Sequence, residues 1–171
     1  MFERWDNFYI LVGSAAGALI GLLFIVVTLT AGMDRDQALR GASRYMTPTV
    51  VQFAMVLLIA AVASAPVDPA LQRTVLAILA LIMMAWALVN AWRMFLQPLG
   101  GQPAHWTDPW FYAAAPAATY LALAAVTGLG GGSALGVGVM AVVILVLGIR
   151  NAWDLITWIA PGRPGSTPPP E

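Results

Sequence analysis

Few side chains in this chain have the chemistry to act as acid, base, nucleophile or ligand, and those that do gather at the ends of apolar runs. Asn90-Ala91-Trp92 closes one long run and Asn151-Ala152-Trp153 closes another, at an offset that also matches Pro48 with Pro109. Arg93 and Asp154 correspond at the same offset, and Arg150 adjoins Asn151. If the two runs belong to adjacent, pseudo-symmetric hairpins, Arg93 approaches Asp154, with Asn90, Asn151 and Arg150 nearby. Two readings fit these five residues. They are snorkelling groups that anchor helix ends, or they form a small polar cluster that binds an ion, a lipid headgroup or a partner helix.

Enzymatic chemistry finds little support. The one histidine, His105, sits between Ala104 and Trp106 in a loop, and cysteine is absent, which removes thiol nucleophiles, disulfides and thiolate metal sites. No paired carboxylates fall within a span, and no His-x-x-x-His occurs. Gly130-Gly131-Gly132-Ser133 lacks the lysine of a phosphate loop and reads as a hinge. Arg35, Arg40 and Arg44 would suit an anionic headgroup or an acidic partner, but Asp34 and Asp36 offset them. The expectation is a protein that is not an enzyme, with no catalytic, cofactor-binding or metal residues and no cofactor.

The elements that position these residues are set by composition. The chain is 60% hydrophobic and 9% charged, with a mean hydropathy of +0.81. A soluble domain carries about 25% charged residues, so this surface faces lipid. Net charge is zero, which gives no electrostatic footprint for nucleic acid. About 20 apolar residues cross a hydrocarbon core of ~30 Å, and backbone groups in lipid must be satisfied within a segment. Five spans follow, at approximately 8–30, 48–65, 70–92, 109–127 and 133–150, and residues 1–160 form one transmembrane domain. The first apolar run is too long for a signal peptide. Residues 151–160 continue the last helix as an amphipathic turn or two, and the proline-rich tail, 161–171, is expected to be disordered.

The fold class is therefore all-α, an integral membrane five-helix bundle. It reads either as one helix plus a duplicated two-helix hairpin or as convergent use of interfacial Asn and Trp. Orientation follows from arginine: Arg35, Arg40, Arg44, Arg93, Arg150 and Arg163 lie on one side, Arg4 and Arg73 on the other. Positive loops stay in the cytoplasm, so the N-terminus is outside and the C-terminus inside. Trp92, Trp106, Trp110, Trp153 and Trp158 would form the inner aromatic belt.

Helix one carries Gly13, Gly17 and Gly21 at spacings of four, a line of small residues that lets another backbone approach. That face packs within the protomer, or mediates self-association, or lines a narrow pore in an oligomer. Pro116, with Thr119 and Tyr120, marks a kink and a polar spot in helix four, and is the main hint of a transporter.

The run Val12-Gly13-Ser14-Ala15-Ala16-Gly17-Ala18-Leu19-Ile20-Gly21-Leu22-Leu23-Phe24, together with Asn151-Ala152-Trp153, resembles a family of small bacterial polytopic membrane proteins. Some of its members are labelled modulators of a membrane-bound AAA protease. The resemblance implies a bacterial inner-membrane protein with no catalytic residue to carry over. The expected role is that of a non-enzymatic accessory or interaction protein acting through helix packing, with the lipid bilayer, a further copy or a membrane-protein partner as its contacts. The alternative is a small oligomeric channel or transporter.

Overall fold

The computed structural model describes residues 5–30, 46–96, 110–129 and 132–159. The two longer loops, with Arg35, Arg40, Arg44, His105 and Trp106, lie outside the described residues, as do Arg4, Pro109, the tail and the side chain of Trp158. The described chain is helical: α1 (Asp6–Thr30), α2 (Thr47–Ala63), α3 (Pro69–Leu96), a π-helical turn (Trp110–Ala114) that runs into α4 (Ala115–Gly128), and α5 (Ala134–Ile159).

Four of these segments are long and apolar enough to cross a membrane, Asp6–Val26, Pro69–Arg93, Trp110–Gly128 and Ala134–Thr157. Large apolar side chains such as Ile10, Leu11, Phe24, Ile82, Leu88 and Val146 stand exposed along them. In water that pattern would be an aggregation hazard; in lipid it is the solvated surface. The protein is embedded in a membrane. The second helix, with 17 residues, is shorter than its neighbours, about 25 Å at 1.5 Å per residue.

Local chemistry explains the boundaries. Pro48 occupies the first turn of α2, where its missing N–H would have had no intrahelical partner. After Ala63 the chain turns through Pro66, and Asp68 caps α3: its Oδ1 accepts from the Ala70 N–H at 2.7 Å. One turn on, the buried Gln72 donates Nε2 to the carbonyls of Val62, Ala63 and Ala65, at 3.2, 3.3 and 2.9 Å. These carbonyls lie at and just beyond the end of α2; Val62 and Ala65 also accept from the Ala65 and Val67 N–H groups, and Gln72 adds a side-chain donor across the turn. Before α5, Gly132 takes a left-handed φ of 78°, and Ser133 Oγ accepts from the Gly136 N–H at 3.2 Å.

The last four helices form a ring in the order α2, α5, α4, α3, with α3 returning to α2, and α1 packs across α2 and α5. Residues that match at the sequence offset are buried alike: Ile59 with Tyr120, Leu76 with Val137, and Ala80 with Ala141 are all fully inaccessible. Helices related by the offset (α2 with α4, α3 with α5) stand diagonally, not side by side.

Close approach rests on glycine at three seams. A Cβ on Gly13 would lie 2.8 Å from Ala60 Cβ, one on Gly148 2.6 Å from the Phe53 ring, and one on Gly136 2.7 Å from Val126. Tyr9 crosses from α1 and donates its hydroxyl to the Ala134 carbonyl at 2.8 Å. Gly148→Ala is expected to lower stability by about 1–3 kcal/mol, because Phe53 is fully buried and must shift. Gly17→Ala, with open space above it, is expected to change stability by less than about 0.5 kcal/mol. Unfolding in mixed detergent micelles checks both.

Candidate functional site

The polar residues gather at the end of the bundle where α3 and α5 finish and α2 and the π turn begin. The centre is Asn151, fully buried on α5. Its Nδ2 donates to Gln52 Oε1 on α2 at 3.3 Å and to the Phe111 carbonyl at 3.1 Å. The Phe111 carbonyl is free for a definite reason. In a π turn each carbonyl accepts from the N–H five residues on, and for Phe111 that residue is Pro116, which has none. Asn151 supplies the donor that proline withholds. Tyr112, next in the turn, donates its hydroxyl to the Asn151 carbonyl at 3.0 Å, so backbone and side chain of one residue are both tied to the start of α4.

Arg150 lies on the outer side of this node. Its Nη1 donates to Asn151 Oδ1 at 3.3 Å and pairs with Asp154 Oδ2 at 2.9 Å, one turn along the same helix. The guanidinium carbon stands 3.5 Å from the centre of the Phe111 ring, a cation–π contact. Arg150 and Asp154 are 35% and 42% exposed, so the charged pair sits at the rim and the amide pair inside it.

Of the five residues singled out in the sequence, the structure thus joins Arg150, Asn151 and Asp154. It does not join Asn90 and Arg93 to them. The pairing of Arg93 with Asp154 is corrected: Asp154 is held by Arg150, Arg93 is exposed, and α3 and α5 face each other across the ring. The error came from taking helices related by a repeat as neighbours, whereas a two-fold arrangement of hairpins sets them on the diagonal. Asn90 has its Nδ2 buried without a hydrogen-bond partner.

The glycine line divides as well. Gly13 is buried against Ala60, while Gly17 and Gly21 have nothing within 4 Å of an added Cβ. Four-residue spacing advances 40° beyond a full turn at 100° per residue, so the line rotates off the α2 seam toward lipid.

Gln52, the acceptor that completes the node, is a residue that sequence reasoning missed. The available signal was an amide in the interior of an otherwise apolar helix. The other polar spot, around Pro116, is local: Thr119 Oγ1 donates back to the Ala115 carbonyl at 2.8 Å, and the fully buried Tyr120 has a hydroxyl without a partner. Among the described residues, no three His, Cys, Asp or Glu side chains come together as a metal site.

Asn151→Ala is expected to cost about 1–3 kcal/mol of stability, since it strands the Phe111 carbonyl. The cost is expected to shrink in a Pro116→Ala background, where residue 116 again has an N–H to offer; a double-mutant cycle on unfolding free energies measures the coupling. Tyr120→Phe removes an unpartnered hydroxyl and keeps the ring, so stability is expected to hold or rise. No protein-family model, curated protein or solved structure matches this chain.

Proposed function

We propose that the protein is a non-enzymatic accessory protein of the bacterial inner membrane, with its N-terminus outside and its C-terminus in the cytoplasm, that works by docking a transmembrane helix of another membrane protein against α1. The observation that carries this reading is the split of the glycine line. Gly13 is consumed inside the bundle by Ala60, whereas Gly17 and Gly21 leave open space above the backbone, flanked by the exposed Ser14 and Ala18.

Apolar helices in lipid gain little from burying more apolar surface. They associate where small residues allow backbones to approach and dispersion contacts to accumulate. An outward helix face with two glycines offers that geometry. The polar node supports an interaction role over chemistry, because Gln52, Asn151, Tyr112 and Arg150 bond to one another and to the backbone. The membrane-bound AAA protease implied by the sequence resemblance is one candidate for the docked partner.

Site-specific photocrosslinking from position 18 in native membranes tests the proposal. A specific heterologous adduct is expected, and Gly17→Leu with Gly21→Leu is expected to reduce it at least ten-fold while leaving unfolding stability unchanged. Adducts with lipid alone, or with a second copy alone, would sink it. Ion or solute flux through the purified protein in liposomes, sensitive to Gly17→Leu, would favour a channel instead.

A further inference from the structure

Asn90 and Asn151 correspond in the two hairpins, and their surroundings differ at each point where a bond forms. The two acceptors of Asn151 Nδ2 come from Gln52 and Phe111. At the offset, Gln52 corresponds to Ala113, which has no side-chain acceptor. Phe111 corresponds to Val50, which lies in regular α-helix with no proline following it. The buried Nδ2 of Asn90 is left without a partner.

The charges diverge in the same sense. In α5, Arg150 and Asp154 neutralise each other across one turn. Their counterparts in α3 are Val89 and Arg93, so Arg93 has no carboxylate one turn back; among the described residues no carboxylate pairs with it. Snorkelling accounts for an exposed arginine at a helix end, but it does not account for a buried amide donor three residues earlier on the same helix.

Residues three apart share a helix face, which puts Asn90 and Arg93 together. Between them Trp92 is 68% exposed, and an exposed indole at the end of a span sits at headgroup level. One copy of the site is thus closed and neutral. The other has, among the described residues, a donor without an acceptor and a cation without a carboxylate at the end of the span.

We propose that Asn90 and Arg93 bind a phosphate group, that of an anionic phospholipid in the leaflet at the C-terminal end of α3. One phosphate oxygen takes the place that Gln52 Oε1 takes in the closed copy, and the phosphate charge balances Arg93 as Asp154 balances Arg150. The exposed guanidinium offers paired donors to two phosphate oxygens, and the amide, whose Nδ2 is buried in the bundle, turns toward the headgroups to donate to one. The inference rests on the membrane-embedded fold and is independent of the docking face on α1.

The test is lipid retention by the full chain, read by native mass spectrometry after exchange into detergent containing phosphatidylglycerol or phosphatidylcholine. The wild-type protein is expected to keep phosphatidylglycerol in preference to phosphatidylcholine. Arg93→Gln is expected to reduce that retention about five-fold, as follows from the worth of one arginine at an anionic surface. Asn90→Leu is expected to reduce it as well, with a melting temperature in phosphatidylcholine that is unchanged or higher, which separates lost binding from lost folding. Arg73→Gln, at the other end of α3, is expected to leave it unaltered. Displacement of the lipid by millimolar inorganic phosphate keeps the site and assigns it to the free anion, and persistence assigns it to the lipid. Equal retention of both lipids by the wild type, or full retention by Arg93→Gln, overturns the proposal.

Discussion

A carbonyl without a donor has no water to turn to inside a membrane, and Pro116 creates such a carbonyl at Phe111. Much of the polar end of this bundle follows from that constraint. An unsatisfied backbone group in lipid costs several kcal/mol, so a donor had to come from another helix. Asn151 Nδ2 provides it at 3.1 Å, and a carboxamide that reaches one helix has a second hydrogen to place. Gln52 accepts that one. A local defect in the lead-in to α4 thereby fixes α5 against α4 and α2 at one depth, which apolar contacts alone, with no direction of their own, would not do.

Shape supplies what the hydrogen bonds do not. Helices in lipid are held by packing and not by escape from water, so each seam needs a site of close approach. Gly13 meets Ala60 and Gly148 meets the Phe53 ring, within 3 Å of where a Cβ would stand. Both contacts fall on one face of α2, since Phe53 and Ala60 are seven residues apart, and they hold this 17-residue helix against α1 and α5. It is met by glycines from α1 and α5, and Gln72 in the first turn of α3 bonds to carbonyls at and just beyond its end. A helix that meets lipid over little of its surface has no need of a full membrane length.

The number and type of the helices were legible in the sequence, because a charge-poor run of sufficient length has one stable form in a bilayer. Pro48 marked a helix start, because proline tolerates a first turn, whereas the Asn-x-Trp triplets fall short of the helix ends, α3 running on to Leu96 and α5 to Ile159. What could not be read was who faces whom. Hydropathy is nearly uniform around these helices, since lipid-facing and core-facing residues are both apolar, so the periodicity that orients a helix in water is faint here. Arg93 was assigned to Asp154 on the offset alone, and the ring placed their helices on the diagonal. Gln52 was passed over because a lone amide within Val-Val-Gln-Phe carries no spacing signal; only the fold reveals the Asn151 that it answers.

The two asparagines show how one helix end can hold a structural and an open version of the same group. In α5 the amide is committed twice over, to Gln52 and to a carbonyl that proline has freed, and the neighbouring charge is cancelled by Asp154. Altering any member of that set strands another, which ties its composition to the fold. In α3 the corresponding amide donor meets no acceptor, and among the described residues no carboxylate pairs with Arg93. The buried Nδ2 of Asn90 has no hydrogen-bond partner, so a polar side chain there adds a desolvation cost without a compensating internal bond. A leucine would fill the position at lower cost. An amide donor without a partner, beside an arginine with which no described carboxylate pairs, suits an acceptor from outside the chain, and at that depth the groups available are those of the lipid headgroups and the water between them.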